Sequence, residues 1–169
     1  MQKHCGLRLA AIATMALAGS FHLNTFAQTA EPPLRSAARW ELSFSPYTHH
    51  WHHDDEHKNV ALIAIERIQP DNALWGAALF NNSFGQTSGY VYYGRQWDGV
   101  FGQPALYTKL SAGVIYGYRG KYKDKVPYNR GGFSPAIIPA VGYRLTPVDA
   151  VQVAILGTAG VMFSYSRRF

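Results

Sequence analysis

The chain has 169 residues, 47% hydrophobic, 14% aromatic and only 15% charged, which excludes a disordered chain and makes one domain the default. A single cysteine, Cys5, excludes a disulfide framework and a cysteine-built zinc site. The formal charge of +6 admits an anionic partner, either nucleic acid or phosphorylated lipid, and the first element of the chain bears on that choice.

That element reads as a leader. Lys3 and Arg8 flank the start of an apolar run from Leu9 to Gly19, and Thr25-Phe26-Ala27 places small residues where a signal peptidase reads, so residues 1–27 form a secretory signal peptide pattern. The apolar run is too short to span a bilayer as a helix. Cleavage after Ala27 removes Cys5 and two of the 16 basic residues, leaving 14 against 10 acidic ones and a net charge of +4. For an exported chain the expected anionic partner is a lipid headgroup, and no nucleic acid is expected.

Past the leader no apolar run approaches the ~18–20 residues of a transmembrane helix. The period is two. Eight strands are predicted, at roughly 39–48, 60–69, 73–81, 89–97, 105–118, 133–144, 149–156 and 159–169, each near the ~9–11 residues that cross a bilayer at a tilt. In the fifth, Leu106, Thr108, Leu110, Ala112, Val114, Tyr116 and Tyr118 share one face, while Tyr107, Lys109, Ser111 and Gly113 share the other. In the eighth, Val161, Phe163, Tyr165 and Phe169 oppose Met162, Ser164, Ser166 and Arg168.

The connections alternate in length. Segments 49–59, 82–88 and 119–132 are long and polar, 98–104 is intermediate, and Pro70-Asp71-Asn72 and Thr146-Pro147-Val148-Asp149 are turn sequences; Gly157-Thr158 is short. Alternation of this kind predicts an all-β fold, an eight-stranded antiparallel transmembrane β-barrel, as a single domain over 28–169. Its place would be the cell outer membrane, with both termini periplasmic and the first, third and fifth connections outside. Closure removes the unpaired edges that lipid cannot satisfy. A secreted β-sandwich is the competing architecture, against which stand the aromatic strand ends Trp40, Trp75, Tyr92, Tyr93, Trp97, Tyr143 and Tyr165.

Residues 60–65 and 73–80 are apolar on both strand faces. A porin lumen is polar, so this pattern points to an internal cavity for an acyl chain. The first long loop, His49-His50-Trp51-His52-His53-Asp54-Asp55-Glu56-His57, holds five of the seven histidines. Three readings stand there: a metal site, an ordinary solvated loop, or one histidine acting as a general base. The second long loop carries Ser83 within Phe80-Asn81-Asn82-Ser83-Phe84, and a serine beside an imidazole can be activated for acyl transfer. The third is basic, with Arg119, Lys121, Lys123, Lys125 and Arg130, and suits lipid phosphates or plain solvent.

Over most of the mature chain the sequence resembles the PagP family of outer-membrane lipid A palmitoyltransferases. The segment Glu41-Leu42 through Thr48-His49-His50 matches the family's entry into its first outer loop and sets His50 on the essential histidine. Phe80-Asn81-Asn82-Ser83-Phe84 is similar to the family's Phe-Lys-Asp-Ser-Trp, with Asn82 in place of the catalytic aspartate. Tyr93-Gly94 falls on the glycine that sets the acyl-pocket floor, and Ile137-Ile138-Pro139-Ala140-Val141-Gly142-Tyr143 resembles Leu-Leu-Pro…Val-Gly-Tyr.

The resemblance implies transfer of a palmitoyl chain from a glycerophospholipid donor to a lipid A acceptor in the outer leaflet, by a monomer using no metal or soluble cofactor. His50 is the implied general base, with His49 as its substitute should the match be off by one. Ser83 is the implied essential hydroxyl, Asn82 a hydrogen-bonding group, and Gly94 the substrate-binding floor, where the bland alternative is close packing in the wall. The competing functions are a non-enzymatic barrel that binds lipid or metal, and a lipid A deacylase.

Overall fold

Period-two patterning sorts the side chains between the two faces of one closed sheet. The computed structural model describes residues 37–52 and 55–169; the expected signal peptide lies outside them. Eight strands, β1 (Arg39–His50), β2 (Leu62–Ile68), β3 (Ala73–Asn81), β4 (Thr87–Asp98), β5 (Leu106–Tyr116), β6 (Phe133–Arg144), β7 (Asp149–Ile155) and β8 (Gly160–Arg168), pair antiparallel in chain order. β1 closes on β8, so the molecule is an eight-stranded antiparallel barrel.

Among the described residues, helix is confined to short 3-10 turns at Val100–Gly102 and Gly120–Lys125. The first lies in the connection of intermediate length and the second in the basic loop. An even number of strands returns the chain to the rim where it began: Trp40 and Phe169 exchange backbone hydrogen bonds of 3.3 and 3.1 Å. The long connections therefore gather at the opposite rim, called the mouth below.

The outer wall is apolar, with Leu42, Phe44, Ile63, Ile65, Leu79, Val91, Val114 and Ile137 exposed. Toward the terminal rim this band ends in Trp75, Trp97, Tyr143 and Tyr165, and toward the mouth in Tyr47, Trp51, Tyr116 and Phe133. Apolar surface of this extent is unfavourable in water. A closed barrel with that exterior is compatible with an outer-membrane protein, and no helix among the described residues is long and apolar enough to cross a membrane.

The interior divides in two. Toward the terminal rim it is filled: Ile68, Leu74, Tyr107 and Gln96 are fully buried, and above them Lys109 Nζ reaches Glu66 Oε2 at 2.5 Å and Glu41 Oε1 at 3.1 Å. Arg168 Nε donates to the second Glu41 oxygen at 3.1 Å, so two cations face two carboxylates across the lumen. Toward the mouth the inward residues are small or aliphatic and leave a cavity.

Candidate active site

A β-bulge aims His50. Through Leu42 and Phe44 the outward residues of β1 are even-numbered, and strict alternation would carry that parity on and turn His50 to the outside of the barrel. Against β8, however, Phe44 pairs with Tyr165 and Tyr47 with Phe163, so β1 spends one residue more than its partner. Pro46, which has no N–H to offer a ladder, sits in the extra step. Buried Ser45 pins it by donating to Phe163 O at 2.7 Å. Beyond the bulge Tyr47 and His49 face out, while Thr48 and His50 face the lumen.

Ser83 stands on the turn after β3. Asn82, fully buried, shapes that turn: its Oδ1 accepts from the backbone N–H groups of Phe84 and Gln86, both at 3.0 Å, and its Nδ2 donates to Gln86 Oε1 at 3.3 Å and Gly117 O at 3.5 Å. These bonds engage both ends of the Asn82 amide in holding the loop. Lys58 N donates to Ser83 O at 2.7 Å and ties the first long loop to the same turn.

The result is a serine–imidazole pair at the mouth. Ser83 Oγ lies 2.7 Å from His50 Nε2, a hydrogen-bond distance; in the tautomer with Nε2 unprotonated the hydroxyl donates to the ring and can surrender its proton to it. The His57 ring lies tilted beside that of His50 with centroids 4.4 Å apart, and Phe84 lies edge-on to His57 and stacked on Tyr122 at 4.2 Å. Tyr118, just past β5, lines the same cavity as Ser83 and packs edge-on to Phe84 at 6.4 Å. Burial pushes the Tyr118 phenol above its ordinary value.

Below the pair lies a cavity of about 340 Å³, within the range of small-ligand pockets. Leu62, Ala64, Ala78, Phe80, Ile138 and Ala154 are among its walls, as is Thr48, whose hydroxyl is buried without a hydrogen-bond partner. Its floor is the level of Glu66, Tyr92 and Lys109, where the Tyr92 hydroxyl donates to Glu66 Oε1 at 2.9 Å and Tyr92 stacks on Tyr90 at 4.6 Å. Gly76 lets that floor form, because a Cβ there would meet the Tyr92 ring at 2.7 Å. The wall is looser beside the cavity: β6 and β7 pair only from Ala140–Ala154 to Arg144–Ala150, while Pro135 and Pro139 lie higher on β6.

Of the residues singled out in the sequence, His50 and Ser83 come together. Asn82 adjoins them along the chain, but its hydrogen bonds make it a positioning residue. His49 faces outward. Gly94 lies apart from the cavity: a Cβ there would come within 2.3 Å of Leu110 O, so this glycine permits close approach of β4 and β5 and does not form the acyl-pocket floor. Among the described residues no group of three His, Cys, Asp or Glu side chains converges as a metal site; His53 and Asp54 of the histidine-rich run lie outside them.

Tyr118, Thr48 and the Tyr92–Glu66–Lys109 floor escaped the sequence reading. Lys109 and Ser111 had been placed on one face of the fifth strand, but their partners lie 43 residues or more away in the chain for Lys109. The chain matches no family model, and no curated protein matches it significantly.

Proposed function

We propose that the protein is a lipid acyltransferase of the outer membrane, moving a palmitoyl-sized chain from a glycerophospholipid to a hydroxyl of lipid A. The observation that carries this reading is the 2.7 Å contact between His50 Nε2 and Ser83 Oγ at the mouth of a blind, largely apolar cavity. A serine paired with an imidazole is an acyl-transfer nucleophile, and an apolar well beneath it holds the chain being moved. Depth supports the chain class. From Ser83 to the level of Gly76 is seven residues along β3 and its turn; at ~3.3 Å per residue and a tilt of ~40° that is roughly 18 Å, the extended length of about 14–16 carbons.

In the first half-reaction Ser83 Oγ attacks the ester carbonyl of the donor and its proton passes to His50 Nε2. The tetrahedral adduct collapses, the lysophospholipid alkoxide leaves with that proton, and the acyl chain remains on Ser83. In the second half the lipid A hydroxyl gives its proton to His50 and attacks the acyl-serine, and Ser83 departs reprotonated. Beside the His50 ring lies that of His57, 4.4 Å away between centroids, and in this reading proton transfer between Ser83 and His50 is the core of the chemistry.

Mass spectrometry of lipid A from cells with and without the gene tests the reading. A gain of one palmitoyl mass is expected. Loss of an acyl mass, the outcome of a deacylase, or an unchanged lipid A, the outcome of a non-enzymatic barrel, would overturn it.

A further inference from the structure

Glycerol keeps the phosphate of a glycerophospholipid a few bonds from either ester, so a donor whose carbonyl has reached Ser83 sets its phosphate over the loops immediately around that residue. Binding energy from this non-reacting part positions the reacting one. The loops there are basic: segments 49–59, 82–88 and 119–132 carry six lysines and arginines against four aspartates and glutamates. Two of these cations are built against the Ser83 turn itself. In the 3-10 turn Gly120–Lys125, residues three apart share a face, and Tyr122 and Lys125 both meet one ring. Tyr122 stacks on Phe84 at 4.2 Å, and Lys125 Nζ stands 5.2 Å from the Phe84 centroid. Phe84 is buried and follows Ser83 in the chain, and Lys125 lines the same cavity as Ser83. From the first long loop, Lys58 N donates to Ser83 O at 2.7 Å and the Lys58 side chain runs over Gly85. A Cβ built on that glycine, which has φ of +76°, would meet Lys58 Cδ at 2.9 Å and Nζ at 3.2 Å. Lys121, by contrast, is committed to Glu56 at 2.5 Å.

Resting on the acyl-transfer reading, we propose that Lys58 and Lys125 form the subsite for the donor's phosphate, and so select a phosphorylated glycerolipid over a neutral diacylglycerol. An ammonium group is a compact charge with three rotatable donors, which suits the oxygens of a phosphodiester. Both residues are exposed, and each is held close to the nucleophile: Lys58 by its backbone bond to Ser83 O, Lys125 by the Phe84 ring. That placement lowers the ordering cost of binding. The two side chains lie on Gly85 and Phe84, the residues directly after Ser83, so a phosphate held between them keeps its ester over Ser83 and its acyl chain over the cavity. Arg119, Lys123 and Arg130, on the same loop as Lys125, add a longer-range field that concentrates anionic lipid at the mouth.

The test uses the full chain folded in detergent micelles, with two measurements. One is transfer of palmitate to lipid A from dipalmitoylphosphatidylglycerol and from dipalmitoylglycerol, run with intact and with dephosphorylated lipid A. The other is calorimetric binding of the ether lipids dihexadecylphosphatidylglycerol and dihexadecylglycerol, which offer no ester to cleave. The double variant Lys58→Gln, Lys125→Gln is expected to lower the preference for the phospholipid donor, the ratio of the two kcat/KM values, by about tenfold through KM. It should weaken binding of the phosphorylated ether lipid by a similar factor, and the effect should shrink at high salt. Lys58→Arg with Lys125→Arg is expected to restore most of the preference. No preference in the wild type, an unchanged preference in the glutamine variant, or equal losses with both donors would overturn the proposal. So would a KM effect confined to lipid A and abolished by its dephosphorylation, which would give the phosphate to the acceptor. Lysine-dependent binding of the phosphorylated ether lipid without palmitate transfer in the wild type would instead overturn the acyltransferase reading and leave the phosphate subsite standing.

Discussion

At the scale of single residues, the active-site reading separates neighbours in the chain. His50→Ala and Ser83→Ala each remove one half of the proton-transfer pair and are expected to lower transfer by at least about a hundredfold, whereas His49→Ala, on the outer face, is expected to retain activity. Radiolabelled palmitate transfer in micelles measures all three, and an inactive His49→Ala would move the base to that residue. Protonation of His50 removes its acceptor, so activity should fall on acidification with a single-proton limb in the pH profile.

Asn82→Asp is a sharper case, because it restores the residue type of the resembled family. In this barrel the substitution replaces Nδ2, which donates to Gln86 Oε1 and Gly117 O, with an oxygen facing those oxygens. A loss of about 1–3 kcal/mol of stability is expected, and no gain in activity. Chemical denaturation together with the transfer assay would show it, and a more active Asn82→Asp enzyme would contradict the positioning role.

Two substitutions in the wall, at Gly94 and Ala78, belong to the same scale. Gly94→Met drives a side chain into the β5 backbone and is expected to weaken the barrel without changing the acyl chain preferred. Ala78→Phe projects into the cavity from the wall and should select a shorter donor. Each excluded methylene forfeits roughly 0.8 kcal/mol of burial. Competition among donors of graded chain length distinguishes the two variants.

At the scale of elements, the strands were legible because each turns one face to the lumen and the other to the outside of the barrel and so writes a period of two. β3 and β6 match their sequence-read boundaries, and the others shift by a residue or two at their ends. His50 and Ser83 were legible as residue types, but their meeting was not, since it depends on a bulge at Pro46. Alternation read straight through that proline turns His50 the wrong way. The floor was hidden for a different reason: a lysine at an inward position of one strand reveals nothing about which of seven other strands supplies its carboxylates. Gly94 was open to two readings in the sequence, because a glycine that spares a ligand and a glycine that spares a neighbouring strand are written alike.

At the scale of the whole molecule, the lumen is stopped by side chains between the cavity and the terminal rim. Reconstituted into a planar bilayer, the barrel is expected to show no stable ion conductance; persistent open channels would contradict a blind cavity. Lys109→Met leaves Glu41 and Glu66 facing one another with Arg168 as their remaining cation in the cluster. Breaking a buried ion cluster from one side typically costs about 3–5 kcal/mol, visible as a lower temperature at which the folded form loses its heat-resistant mobility on gels.

The members of that cluster come from β1, β2, β5 and β8, the first and last strands included. Glu41 and Arg168 are neighbours only across the β1–β8 seam, the last ladder to form when a chain curls up in order. Until the seam shuts, an open sheet holds these inward charges without their full set of counterions. The floor therefore works as a clasp: it penalises half-closed arrangements, rewards only the completed ring, and makes closure one cooperative event.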